Sequence, residues 1–444
     1  MRRILVWFAL LLATPAFAQV PADARLSEVE KKLDAAIAEI ERLKLSGTAA
    51  PDTAPAVKSR YGFGPAASRV YGIHTGPSLG GYGEALFESP DGEREDGTPS
   101  GAPPRADLLR AVFYVGYKFG PTLVFNSEIE FEHAGISDEA VAEVDPTTHQ
   151  GVAELTGEVV MEFAYLDWTA RPWLGVRTGK VLGPMGIVNE QHEPPTFYAT
   201  RRPDTERYII PTTWASVGAG CFGATEGGLE WRAYLVDGLD ASHFSASSGV
   251  RSGRQSGSQA LMTHPGFTAR ADWKGVPGLV AGVSGFTGDS WQQPQPGGTY
   301  LSARVTITDV HALYNWRGLD VRGLYAAGSQ DQAGELSDAL GLTGGARLGE
   351  RFWGGYVEGG YDLAPMFWPG TSWALSPYLR AEKYDTQDSV PGGTESDGNE
   401  HTVMMFGVAV KPHPNVVLKA DREQRSNPAE TETSRWNVAL GWLF

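Results

Sequence analysis

The chain has 444 residues, a formal net charge of −16, 55 glycines, 29 prolines and a single cysteine. A hydrophobic share of 41 %, with 18 Phe, 16 Tyr and 13 Trp, excludes a disordered chain, because that much apolar surface can be buried. One cysteine excludes a disulfide framework and a multi-cysteine zinc site, and 53 acidic against 37 basic residues leave no basic face for nucleic acid.

Residues 1–18 read as a secretory signal peptide, with Arg2 and Arg3 before an apolar run from Ile4 to Leu12 and an Ala16-Phe17-Ala18 cleavage site. The run is too short to span about 30 Å of hydrocarbon. No cysteine follows the cleavage site, so no lipoprotein anchor is expected. Loss of Arg2 and Arg3 takes the charge from −16 to −18, and the destination lies beyond the inner membrane of a Gram-negative cell.

In 19–45, Leu26, Val29, Leu33, Ala36, Ile40 and Leu43 follow heptad spacing, with Glu28, Lys31, Lys32, Glu39 and Arg42 on the outer face. So short a helix is marginal alone in water. The pattern predicts a periplasmic coiled coil with further copies of the chain; a helix folded on its own chain is the alternative. Residues 46–60, with Gly47, Pro51 and Pro55, read as a flexible linker.

From 61 to 444 the periodicity is two. Leu109, Ala111, Phe113, Val115, Tyr117 and Phe119 oppose Arg110, Tyr114 and Lys118; Leu123, Phe125, Ile129 and Phe131 oppose Asn126, Glu128, Glu130 and Glu132. Val159, Met161, Phe163 and Tyr165 read as one apolar face against Glu158 and Glu162. The same alternation runs through 229–235, 267–273, 319–325, 373–384 and 416–423. The strands are about ten residues long, enough to cross a bilayer at a tilt. Their apolar faces carry no charge and their polar faces carry too many ions for a sandwich core. Tight connections, as at 119–121, 273–278, 315–318 and 411–414, alternate with long polar ones at 89–104, 135–151, 237–262, 288–299, 329–345 and 386–400. The reading is all-β: a transmembrane antiparallel β-barrel of about 16 strands over 61–444, with short periplasmic turns and long external loops. Trp436, Val438, Leu440, Trp442 and Phe444 close the chain on an aromatic; this is similar to the C-terminal strand signal of bacterial outer-membrane barrels.

A barrel of that size is too wide for side chains alone to fill, so a water channel is expected. The early strands turn carboxylates inward (Glu84, Glu128, Glu130, Glu132, Glu158, Glu162), and later ones turn in Arg, often beside an acid (Asp272, Asp320, Glu382, Asp421). Residues 185–214 break the pattern: their prolines and mixed charge forbid a strand. This loop is expected to fold into the barrel and narrow it, with Arg201, Arg202 and Arg207 as solute contacts; packing on a neighbouring protomer is the alternative. The pore-lining or solute-contacting candidates are Arg110, Lys118, Glu128, Glu130, Arg177, Arg201, Arg202, Arg207, Arg232, Arg270, Arg322 and Arg380.

The strand Ser78-Leu79-Gly80-Gly81-Tyr82-Gly83-Glu84-Ala85, the strand Asn126-Ser127-Glu128-Ile129-Glu130-Phe131-Glu132-His133 and the stretch from Pro184-Met185-Gly186 to Pro211 resemble the phosphate-selective porin O and P family. The resemblance runs loosely over the whole barrel. It implies a homotrimer of sixteen-stranded barrels in outer-membrane lipid, each with an anion-conducting pore, and some members carry an N-terminal coiled coil. Members that select phosphate line the pore with an arginine ladder and a lysine cluster. Here the lysines are scattered (Lys118, Lys180, Lys274, Lys383, Lys411, Lys419) and the ladder is not matched residue by residue. Anion conduction, including phosphate, and a general pore weakly favouring cations both stay open.

Other classes fit less well. A hydrolase would need serine and histidine together; His243 with Ser242 or Ser245 lies in a Ser/Gly-rich external loop, His192-Glu193 lacks zinc-helix spacing, and Cys221 reads as a small apolar residue. A structural anchor, with 26–43 touching the cell wall, is the main alternative to a porin. No cofactor, metal or catalytic residue is expected.

Overall fold

The computed structural model describes residues 60–134, 157–293 and 301–444. The expected signal peptide, coiled coil and nearly all of the linker lie outside these residues. Sixteen strands follow in chain order: β1 (Gly76–Pro90), β2 (Arg105–Lys118), β3 (Leu123–Glu132), β4 (Glu158–Arg171), β5 (Leu174–Leu182), β6 (Ala215–Ala224), β7 (Leu229–Val236), β8 (Gly266–Trp273), β9 (Leu279–Asp289), β10 (Arg304–Trp316), β11 (Leu319–Gln330), β12 (Arg351–Tyr361), β13 (Ala374–Ser389), β14 (Glu400–His413), β15 (Val416–Ser426) and β16 (Arg435–Leu443). Each pairs antiparallel with its sequence neighbours, and β16 pairs back on β1, Ala85 opposite Leu440, closing the barrel. Closure leaves no open sheet edge.

The outer surface is apolar in mid-strand: Val310 and Val357 are 57 % and 59 % exposed, and Leu379, Leu418 and Val438 are exposed beside them. Such a belt is stable against lipid and not against water. No helix among the described residues is long and apolar enough to cross a membrane; strands do the crossing. Trp168, Trp173, Trp273, Trp316, Trp368 and Trp373 are exposed near the short-turn rim, where an amphipathic ring suits the interface. The tight connections gather at that rim and the long ones at the other, as the sequence predicts.

Two β-bulges overturn parts of the period-two reading. Adjacent Glu128 and Ile129 on β3 face Phe163 and Met161 on β4, so Glu162 is extra. A bulge swaps the faces beyond it. Val159 and Met161 therefore look to lipid, whereas Phe163 and Tyr165, expected on the same outer face, are buried inside. Between β1 and β2 the register slips from Glu84 opposite Arg110 to Leu86 opposite Asp107. Leu109, expected outside, lines a lumenal cavity, and Leu108 is exposed instead.

Nor is the lumen an open bore, as the strand number suggested. Among the described residues, two segments stand out in it. Residues 60–75, which the sequence from 61 onward assigned to the barrel wall, form a lobe inside it that contains the short helix α1 (Arg69–Gly72) and leads into β1. Phe63 of this lobe lies 5.3 Å from the Phe163 ring and stacks on Tyr165 at 5.4 Å, which supplies the apolar partner for the inward face that the bulge creates. The second segment is the connection 183–214 between β5 and β6, almost the stretch expected to fold inward.

Candidate functional site

Pro184, Pro194, Pro195, Pro203 and Pro211 keep 183–214 from joining the sheet, so its backbone polar groups need partners that are not strands. The barrel wall supplies them. Asp309 of β10 accepts from Gly186 N (3.2 Å), Asp421 of β15 from Thr200 N (2.8 Å) and Glu382 of β13 from Thr205 N (2.5 Å). Wall cations take the carbonyls: Arg270 donates to Gly186 O, Lys411 to Pro195 O (2.8 Å), Arg322 to Thr196 O (2.8 Å), Lys419 to Ala199 O (2.9 Å) and Arg380 to Arg201 O (2.8 Å). Within the loop, Glu206 accepts from Ile187 and Val188 N at 2.9 and 2.6 Å.

Several candidate residues are thereby placed in clamps. Arg232 is held by Glu190 (2.8 Å), Glu230 (2.7 Å) and Asp272 (3.1 Å). Arg270 pairs with Asp272 at 2.8 Å. Arg322 and Arg380 lie 3.6 and 3.7 Å from Glu358, and Arg380 is also 3.5 Å from Glu382. Glu128 meets His192 of the loop at 3.1 Å. Arg110 bridges Glu84 and Glu130, each at 3.2 Å.

The lobe 60–75 uses others. Arg177 is fully buried: it forks onto Asp167 at 2.7 and 2.8 Å and lies over the rings of Tyr165 (4.3 Å) and Phe63 (4.6 Å). Lys118 donates to Tyr71 O (3.1 Å) and Ile73 O (2.7 Å). Glu193 of the loop accepts from Ala66 and Ala67 N at 3.1 and 3.0 Å, joining loop to lobe. Burial pushes the Glu193 carboxyl up to about 7, against the pull of these two bonds. His192 is raised because Glu128 outweighs the burial that would lower it.

The external mouth differs. A cavity of about 350 Å³ opens between the loop, β1–β3 and the connection after β7; it is lined by Arg110, Arg201, Arg202, Arg207 and Arg251, with Glu84, Glu132 and Asp204. Arg201 pairs with Glu88 at 2.5 Å. Arg202 donates to the Thr213 hydroxyl (2.9 Å), and Arg251 to Arg207 O (2.9 Å) and Thr212 O. Arg254, next to it, donates to Thr213 O and to Pro211 O (3.2 Å). Among the described residues no carboxylate lies within ion-pair distance of Arg202, Arg207, Arg251 or Arg254. Burial, then the charges of Arg254 and Arg207, lower Arg251 to about 9. A second cavity, of about 200 Å³, lies at the short-turn side under Pro195, Thr196, Phe197 and Tyr198 and holds Arg322, Lys411, Asp320 and Asp362.

Sequence reasoning found the loop and the inward parity of most strands. It passed over Asp309 and His311, because Val305 and Ile307 of β10 face inward and buried while Thr306 and Thr308 face out, which erases the amphipathic signal. Arg251 and Arg254 were passed over inside a Ser/Gly-rich stretch. Of the hydrolytic candidates, Ser242 donates to Asp240 at 2.7 Å, and His243 Nε2 lies 4.0 Å from the same carboxylate. Cys221 sits on β6 between inward Phe222 and Gly220, in the outward register.

Fold and lumen together define a membrane-spanning sixteen-stranded barrel of the outer-membrane class, with an in-folded loop after β5. No protein-family model matches the sequence. A protein of Aquifex aeolicus (strain VF5), described as an uncharacterized protein, is 37 % identical over 398 residues, spanning 88 % of this chain and 85 % of that one. The chain belongs to the same family as that protein. Among solved structures, a loop L8 deletion mutant of OmpT, an outer membrane protein of Vibrio cholerae, aligns with a TM-score of 0.50 at 9 % identity, over 84 % of this chain and 100 % of that one. An anion-selective porin from Comamonas acidovorans aligns with a TM-score of 0.47 at 11 % identity over the same shares. The likeness to OmpT is one of fold.

Proposed function

We propose that the protein is an outer-membrane porin through which small hydrophilic solutes and ions diffuse passively, with anions favoured at the external mouth. One observation carries this reading: a water-accessible cavity inside a membrane-spanning barrel presents Arg202, Arg207 and Arg251 without carboxylate partners among the described residues. In a chain with 53 acidic and 37 basic residues, unpaired cations at a pore entrance attract anions locally whatever the net charge. Phosphate and other multivalent anions gain most from several guanidinium groups at once, in keeping with the resemblance to the phosphate-selective porin O and P family. The unit we infer is a homotrimer, with 19–45 as a periplasmic coiled coil, and the protein is not an enzyme.

Planar-bilayer recording under a KCl gradient tests this. Stepwise conductance with a reversal potential of anion-preferring sign is expected. Absence of steps overturns the pore and favours the structural anchor. Steps with a cation-preferring reversal overturn only the role of the mouth.

A further inference from the structure

Among the described residues, Phe197 alone lines both the external and the short-turn cavities described above. Its side chain is buried, and the ammonium of Lys419 sits 3.7 Å from the ring centroid. Lys419 is itself buried, donates to Ala199 O and has no carboxylate within ion-pair distance among the described residues. Asp421, two residues on along β15, is taken up by Thr200, Tyr378 and Asn437. The backbone on either side is fixed, since Lys411, Arg322, Lys419 and Arg380 hold the carbonyls of residues 195, 196, 199 and 201. What can move between the two cavities is therefore the ring and not the chain, and side-chain rotation is far faster than rearrangement of a clamped backbone.

We infer that Phe197 is the barrier to permeation between two vestibules and that Lys419 beneath it selects for charge. This rests on the pore reading. The π face of the ring partly satisfies the buried ammonium; an arriving anion replaces the ring as the partner of Lys419, and the ring turns into the space of about 350 Å³ above or about 200 Å³ below. A cation meets an unpaired positive charge at the same point and has no such exchange.

Two variants of the full chain test this in planar bilayers beside the unaltered protein, each first checked for the compact, protease-resistant form of a folded barrel. Phe197→Ala is expected to raise single-channel conductance at least about twofold, because the barrier side chain is removed while its clamped backbone stays. Lys419→Gln keeps a donor for Ala199 O and removes the charge; its reversal potential is expected to move toward cations. Conductance equal to that of the unaltered protein in folded Phe197→Ala overturns the barrier, and an unmoved reversal potential in folded Lys419→Gln overturns the charge filter, while the porin reading stands in both cases. A silent parent protein with a conducting Phe197→Ala supports a fully closed barrier. Silence in both overturns the pore reading along with this one.

Discussion

Arg232 and Arg251 are arginines inside the same barrel, in opposite circumstances. Arg232 meets three carboxylates and spends its charge holding 183–214 against the wall. Among the described residues Arg251 has only carbonyl partners and stands among other arginines. The difference separates two uses of lumenal charge. Where an irregular segment must be held in a closed space, charges on the strands pair off and satisfy its backbone. Where the lumen opens toward the long loops, Arg202, Arg207 and Arg251 have no carboxylate within ion-pair distance among the described residues. Arg201 stands between the two: the loop carries it, and Glu88 of the wall pairs with it.

The largest effect that tests this contrast is on stability. Arg232→Met leaves Glu190 buried with only Arg270, 3.9 Å away, and breaking such a pair from one side costs about 3–5 kcal/mol. Thermal unfolding in detergent is expected to fall steeply for Arg232→Met and to change by no more than about 1 kcal/mol for Arg251→Met, whose neighbours gain from the loss of a like charge. Equal losses would erase the distinction between the two regions.

Next comes selectivity. The triple variant Arg202→Gln, Arg207→Gln, Arg251→Gln is expected to shift the reversal potential toward cations with little change in unfolding temperature. Arg380→Gln, by contrast, is expected to lower stability first. If the triple variant unfolds early and keeps its selectivity, the assignment of mouth and wall is inverted.

The smallest effect is the pH dependence of the junction between loop and lobe. Glu193 is raised from an ordinary 4.5 to about 7 in the folded protein, chiefly by burial. The folded state therefore holds the proton more tightly, and this group's contribution is complete below about pH 4.5 and lost as pH rises toward 7. His192, raised by Glu128 against burial, contributes in the same direction, with its share lost as pH rises above its ordinary 6.5. Unfolding temperature is expected to be higher at pH 5 than at pH 8, and Glu193→Gln to flatten part of that slope.

The barrel was legible because lipid outside and polar groups inside impose a period of two over long runs, and because tight and long connections alternate. The loop was legible because prolines cannot serve a ladder. What escaped has a common physical cause. Phe163 and Tyr165 turn inward beyond a bulge, and a bulge is one extra residue with no fixed sequence mark. Val305 and Ile307 turn inward because other chain segments, distant in sequence, cover them. The lobe 60–75 follows the same logic: Phe63 and Tyr71 gain their meaning from Arg177 and Asp167, partners about a hundred residues away that a local pattern does not reveal.

The in-folded loop also ties together strands that are far apart in sequence. Its partners are spread from Glu88 on β1 to Asp421 on β15, while the seam that closes the cylinder joins the first strand to the last. Most of the wall groups that hold its backbone lie on β10–β15, so the loop is held chiefly by strands far downstream of it in sequence. Closing the cylinder and gripping its contents thus draw on the same strands.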